Sequence, residues 1–426
     1  MDIISKNKAL EKLLSDNLKK LARLEELSEE QIWRGVSAGT MVLLGNPGHK
    51  GLSPTLIGQP ARVKVNANIG TSPLVNDPEM EFAKLEMAEA AGAHTVMDLS
   101  TGGDLDDIRA RMLAASALPL GTVPVYAAAQ RRIEQGAHPA SFSAEGLMEE
   151  ISRQAEQGVD FMTVHVGVTR RAAALAKETG RVVGVVSRGG SLTVRWMEEN
   201  NAENPLLDRY DELLDIALAH NVTLSLGDGM RPGGGCDAGD PAQWEEVAVL
   251  AELTKRAWDK GVQVMIEGPG HVPLDQVPAQ VRVIKKMTFG APLYVLGPLV
   301  TDSAPGYDHI AGAIGGAVGV MNGVDFLCYL TPAEHLTLPD GADVRVGVMA
   351  SRIAAQSGEV ALGRSSAVNR DLEMSKARAA LDWERMAELA LDPPTVRHRR
   401  EEFADREECG MCGEFCAVKM LKDNKR

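Results

Sequence analysis

Aromatic residues make up only 4% of this 426-residue chain. Such scarcity, alongside 42 glycines, suits an α/β protein with tight turns better than a β-sandwich. No run reaches the roughly 18 apolar residues of a membrane span. Positive charge is also short: 45 Lys and Arg face 59 Asp and Glu, for a net charge of −14. Without a basic face, the chain is expected to bind neither nucleic acid nor an anionic membrane. One local basic pocket for a phosphate stays compatible with that balance. Cysteines number five, odd and mostly clustered, which is no disulfide framework. The opening stretch MDIISKNKALEKLLSDNLKKLARLEE is charged and amphipathic with no apolar signal core, so a cytoplasmic protein is expected. Solenoid repeats and low-complexity tracts are missing too.

What is there is a rhythm. Residues 1–60 read as a small helical region, with helices near 5–26 and 28–37 and then GNPGHKGLSPTLIGQP. Eight β-branched runs follow, alternating with helical patterns: RVKVNANI from Arg62, HTVMDL from His94, GTVPVY from Gly121 and FMTVHV from Phe161, then RVVGVVS from Arg181, VTLSLG from Val222, VQVMIEG from Val262 and LYVLG from Leu293. Eight is the count at which a parallel sheet closes, so 61–325 is expected to be a (β/α)8 barrel. The rival, an open doubly wound sheet, loses its dinucleotide-binding form because no Gly-x-Gly-x-x-Gly follows the first run. Residues 326–400 read as a helical extension, with helices near 343–357 and 371–391, and 401–426 as a cysteine-bearing tail.

Barrel enzymes place their chemistry where strands end. The run ends here carry Asn66 and Asn68, Met97, Asp98 and Ser100, Tyr126, His165, Ser187–Ser191, Asp228 and Arg231, Glu267, and Tyr294. Any one of these could be a turn or cap residue. Polar groups at one end of every run are costly in a plain core and fit a polar ligand. The Gly-rich SRGGS and RPGGG loops, with Arg188 and Arg231, point to a small phosphorylated substrate. His271 in GPGHVPL and His335 in TPAEHLTLP suit Zn²⁺ or a similar divalent ion, or are structural loop histidines. His309 is a third candidate, while His49, His94, His138, His220 and His398 read as surface or packing residues. Cys328 reads as a buried small hydrophobe rather than a radical-handling group.

Cys409, Cys412 and Cys416 are spaced Cys-x2-Cys-x3-Cys. Three thiolates leave one iron of a [4Fe–4S] cluster open to chelate a small molecule such as S-adenosylmethionine. The alternatives are zinc with a borrowed His, or uncommitted thiols.

Taken in order, VKVNANIGTS, VMDLSTGGD, GTVPVY, VSRGGS, GDGMRPG, ELTKRAW, VQVMIEGPGHVPL, LGPLVTD, APGYDH, LCYLTPAEHL and CGMCGEFC resemble the phosphomethylpyrimidine synthase family. The likeness runs from about residue 36 to the C-terminus. It implies a radical S-adenosyl-L-methionine carbon–carbon lyase that rearranges 5-aminoimidazole ribotide. It also implies an electron donor and a homodimer whose cluster tail serves the partner's barrel. By motif, the resemblance gives the substrate to Asn68, Met97, Tyr126, His165, Ser187, Arg188, Gly189, Asp228, Gly229, Met230, Arg231, Glu267 and Tyr294. Glu267 and Tyr294 would stand nearest the reaction, with Arg188 and Arg231 near the phosphate. His271 and His335 would hold a divalent metal, taken as zinc, and Cys409, Cys412 and Cys416 the [4Fe–4S] cluster.

Two activities share this family. One makes the thiamin pyrimidine, 4-amino-5-hydroxymethyl-2-methylpyrimidine phosphate. The other, 5-hydroxybenzimidazole synthase, makes the lower-ligand precursor of an anaerobic cobalamin. Here Gly234 and Gly235 stand where the thiamin branch has Ser-Ile, Gln356 where it has His, and Ser303 where it has Ile. LLGNPGH also differs from that branch's Pro-Ala-Asn-x-x-His. These departures favour the benzimidazole branch, with the thiamin branch as the alternative. The remaining alternative, from a different class, is a non-catalytic ribotide-binding protein with a zinc-bound tail.

Overall fold

The computed structural model describes residues 2–423, without the side chains of 421–423. Two capped helices open the chain. Asn7 accepts from Leu10 N to start Lys8–Glu25, and Ser28 with Gln31 forms a capping box for Glu29–Ser37. A small antiparallel sheet follows, β1 (Val42–Leu44) and β2 (Thr55–Ile57).

Eight parallel strands then close a barrel: β3 (Lys64–Ile69), β4 (Thr95–Asp98), β5 (Leu120–Thr122), β6 (Phe161–Val164), β7 (Thr223–Leu226), β8 (Val264–Glu267), β9 (Leu293–Leu296) and β10 (Phe326–Cys328). Their side chains are nearly all buried on both faces, as continuous β-branched runs require. Helices between them begin at Asp77, Asp104, Ser143, Ser187 and Asp240, each of whose side chains accepts from a first-turn N–H. Inside the barrel, Tyr294 stacks on Phe326 at 4.3 Å and Phe161 meets Phe326 edge-on at 6.4 Å.

The strand count matches the expectation, but one member differs. Residues 181–187 form no strand. Their valines have the right composition but no neighbouring strand. Instead Asp237 accepts from Val182 N and Val183 N, at 2.9 and 3.1 Å. Arg181 anchors the segment to Asp240, with Nη2 to Oδ1 at 2.6 Å. The eighth strand is β10, which pairs with β3 and β9 and lies just past the expected barrel boundary at 325. Tyr126 also differs: it sits in the first turn of the helix Pro124–Glu134 after β5.

The N-terminal segment seals the base of the barrel through residues that immediately precede strands. Gln263, before β8, accepts from Leu43 N at 2.7 Å and donates to Leu43 O at 3.0 Å. Asp325, before β10, accepts from Gln59 N at 2.6 Å and pairs with Lys285 at 2.7 Å. Asp160, before β6, accepts from Asn46 N and Leu120 N, both at 2.8 Å, and from His49 Nδ1 at 2.7 Å.

The chain divides into two compact units, Met1–Gly358 and Glu359–Arg426. The second contains the helices Ser365–Ala380, Trp383–Leu389 and Pro393–Arg400 and the cysteine segment. The last three residues of the expected tail, 424–426, lie outside the described residues. Among the described residues no helix is long and apolar enough to cross a membrane.

Candidate active site

At the C-terminal ends of the strands a cavity of about 520 Å³ opens. Asn68, Met97, Tyr126, His165, Asp228, Arg231, Glu267 and Tyr294, all expected from the sequence, line it. Cys328 lines it too. Arg188 instead faces a neighbouring cavity of about 790 Å³, which also meets Asn68, Glu334 and His335.

The floor is a fixed polar network. Asn66 Nδ2 donates to the Tyr294 hydroxyl at 2.8 Å and to Asn68 Oδ1 at 2.7 Å, while Asn66 Oδ1 accepts from Thr95 at 2.7 Å. Asn68 Nδ2 donates to Cys328 Sγ at 3.1 Å. Burial holds Tyr294 well above the ordinary phenol range, so it stays protonated. Burial also pushes the Cys328 thiol up to about 12.

One wall carries the acids. Glu267 Oε1 accepts from Thr163 at 2.7 Å and Ser225 at 2.9 Å. Burial raises its pKa against those two bonds. Asp228 Oδ1 accepts from Arg231 Nη1 at 2.8 Å. Burial pushes Asp228 up to about 7; Arg231 opposes this and Glu267 adds to it.

His165 is set by its surroundings. Ser187 Oγ lies 3.1 Å from His165 Nε2 and accepts from Gly190 N at 3.1 Å. His165 Nδ1 is buried with no hydrogen-bond partner among the described residues. Burial lowers the pKa to about 3, so the ring is neutral. Gly189 is required beside it, because a Cβ there would run into the His165 ring. Arg188 stacks over Tyr126 at 4.8 Å. Ser187, Gly189, Gly229 and Met230 therefore shape the site from behind rather than lining the barrel-mouth cavity.

His271 and His335 come together, with ring centroids 5.4 Å apart. Each Nδ1 faces a carboxylate: His271 with Asp302 at 2.7 Å and His335 with Asp308 at 3.2 Å. This fixes the tautomer that leaves Nε2 as the ligand atom, the arrangement metal-binding histidines use. His335 is also held at a φ of +60°, an uncommon conformation for histidine that marks a constrained position. The pair fits a divalent ion. No third His, Cys, Asp or Glu completes a set of three among the described residues. His309 does not join them; it lies along a small cavity with Cys328 and Ser351.

In the second unit Cys412 is exposed, Cys409 half-buried and Cys416 buried. Backbone N–H groups of Met411 and Cys412 bond Cys409 and lower its pKa, favouring the thiolate that ligates iron. The donor chemistry fits a cluster, although the three thiols are not gathered as a metal-ready set among the described residues.

Four contributing residues had escaped sequence reasoning. Asp302 and Asp308 orient the histidines, and Glu246 and Arg181 grip the Asp228–Arg231 turn. Glu246 Oε2 accepts from Met230 N at 2.8 Å, and Arg181 Nη2 donates to Met230 O at 2.6 Å. The aspartates sat in the quoted motifs LGPLVTD and APGYDH, and their one available signal was the neighbouring His pair.

The model of the radical SAM ThiC family matches residues 5–423. A protein of Methanopyrus kandleri named phosphomethylpyrimidine synthase is 51% identical over 411 residues, covering 96% of each chain. One of a Thermoanaerobacter species with the same name is 48% identical over 417 residues, covering 97% of this chain and 96% of its own. One of Dehalococcoides mccartyi, again so named, is 50% identical over 411 residues, covering 96% of this chain and 95% of its own.

Proposed function

The chain belongs to the radical SAM ThiC family, and from that membership we propose that it is a phosphomethylpyrimidine synthase. It would convert 5-aminoimidazole ribotide to 4-amino-5-hydroxymethyl-2-methylpyrimidine phosphate. The observation that carries this is the barrel-mouth cavity, where eight residues expected on the substrate converge.

The names of the relatives reverse the preference for 5-hydroxybenzimidazole drawn from the sequence departures. The positions agree with the reversal. Gly234, Gly235, Ser303 and Gln356 do not line the cavity. At Gly235 a Cβ would find its nearest neighbour at 3.5 Å, so the loop does not require glycine there.

A [4Fe–4S] cluster on Cys409, Cys412 and Cys416 would bind S-adenosylmethionine and supply the electron that cleaves it. The chain's own groups then position and protect. Arg188 and Arg231 take the phosphate, and the neutral His165 ring packs against the substrate. Glu267 accepts a proton and Tyr294 donates one at the reacting ring. His271 and His335 would hold a divalent ion, proposed as zinc, leaving its other positions to substrate oxygen or water.

A homodimer is the proposed assembly. Ile310, Ile314 and Met321 lie exposed along one face of the helix Asp308–Asn322, an apolar stripe suited to a second copy. The deciding experiment is anaerobic reconstitution with 5-aminoimidazole ribotide, S-adenosylmethionine and dithionite, read by mass spectrometry. A phosphorylated pyrimidine is expected. A benzimidazole mass would reinstate the other branch, and a colourless, zinc-containing, inactive protein would favour a ribotide-binding role.

A further inference from the structure

Asp302 touches two things at once. Its Oδ1 holds His271 Nδ1 at 2.7 Å, and its Oδ2 accepts from Gly235 N at 2.7 Å. Gly235 belongs to the RPGGG loop, four residues after Arg231. A second tie runs beside it, from His271 N to Pro232 O at 3.4 Å. The loop after β8 is in turn laced to the loop after β9, by Leu299 N to Gly270 O at 2.8 Å and Val272 N to Leu299 O at 2.9 Å. Three loops therefore meet around one carboxylate. That carboxylate is 49% exposed, so these two hydrogen bonds, rather than surrounding packing, fix its orientation.

We infer that Asp302 is a positioning residue that couples metal binding at His271 and His335 to anion binding at Arg231. The inference rests on the proposed metal role of the two histidines. A metal on Nε2 needs the His271 ring held through Nδ1–H, which only a fixed Asp302 provides. Fixing Asp302 orders Gly235, and with it the segment that carries Arg231. The phosphate then binds a loop whose ordering cost has been met, and by linkage it tightens the metal equally.

The test is a Co²⁺ titration of the full chain stripped by chelator, with and without ribose 5-phosphate. The d–d bands report the histidine site, and thiolate charge-transfer bands report the cysteines separately. In the wild type, ribose 5-phosphate is expected to tighten Co²⁺ at the histidines by about fivefold or more. Gly235→Pro replaces the Gly235 N–H with a ring carbon, which breaks the bond and pushes Asp302 Oδ2 off the loop. Proline suits this position, the first residue of a short 3₁₀ helix after the extended Gly234 (φ −156°, ψ 153°). The variant is expected to bind Co²⁺ alone several-fold more weakly than wild type, because Asp302 no longer holds His271 fixed, and to lose the response to ribose 5-phosphate. Gly235→Ala keeps the N–H and is expected to keep the response, which separates a lost hydrogen bond from a damaged loop. Full coupling in Gly235→Pro overturns the inference, as does wild-type Co²⁺ binding that ignores ribose 5-phosphate. No histidine-site Co²⁺ signal, or one that survives His271→Ala, removes the metal reading itself and the coupling with it.

Discussion

The barrel buries polar clusters at both ends, and they differ in what they leave unbonded. At the base, the side chains of His49 and Asp160 are fully buried. Asp160 accepts from His49, Asn46 and Leu120, and His49 Nε2 faces Ser116 O at 3.1 Å. Both imidazole nitrogens meet acceptors, which favours the charged ring. Burial is the largest single influence and opposes that charge, yet the hydrogen bond and charge of Asp160, with the backbone of Ser116 and Leu113, together outweigh it and lift the His49 pKa. At the mouth, His165 Nδ1 and Glu246 Oε1 have no protein partner. Burial holds Glu267, Asp228 and Glu246 above the usual carboxylate range. The His49–Asp160 cluster spends its hydrogen bonds on the fold, while the mouth leaves polar atoms unpaired around the cavity-lining residues.

Asp160→Ala should have the largest effect. It leaves His49 buried without its partner and frees two backbone N–H groups, at a cost of about 3–5 kcal/mol. Urea unfolding measures the loss, and activity per folded molecule should not change. If stability held and turnover fell, the base would share in catalysis and the comparison would break. Glu267→Gln is the counterpart at the mouth. It keeps the shape but removes a proton acceptor, so kcat should fall about a hundredfold. Stability should hold or rise, since a strained carboxyl has been removed.

The contrast between the ends also explains what the sequence showed. Strand ends carrying Asn, His, Asp, Glu and Tyr revealed the mouth, because each functional residue adjoins a β-branched run. The base was hidden. Asn46 and His49 lie far from Asp160 in the chain, and nothing in GNPGH announces a partner 111 residues on. Within the fold, RVVGVVS misled because composition records strand propensity and not whether a neighbour exists to pair with. β10 escaped because three residues carry no periodicity. Asp302 and Asp308 act on histidines from other loops, and only the closed barrel brings those loops together.

Gly189→Ala sharpens the comparison with a smaller effect. The added Cβ must displace the His165 ring from the cavity wall, so KM should rise about tenfold with kcat less affected. If steady-state kinetics showed no change in KM, His165 would belong with the saturated polar groups of the base.

The smallest effect is a pH dependence peculiar to the mouth. Asp228 titrates near 7, above an unfolded value near 3.8. The folded chain therefore holds a proton that the unfolded chain has released between those values. Stability contributed by this group is present at low pH and is lost as pH rises towards 7. Binding follows the same sign. Above pH 7 the Asp228 carboxylate competes with a phosphate for Arg231, so ribose 5-phosphate should bind a few-fold more weakly at pH 8 than at pH 6.5. Asp228→Asn should flatten that step, with any remaining slope due to the phosphate's own second ionisation near pH 6. His49 offers the control from the other end. Its raised pKa means that its stabilisation is present below about pH 6.5 and fades as pH climbs through the folded value, without touching anion affinity. Calorimetric titration across that range separates the two groups. A pH step in affinity that survived Asp228→Asn would place the titrating group elsewhere and leave Arg231 permanently paired.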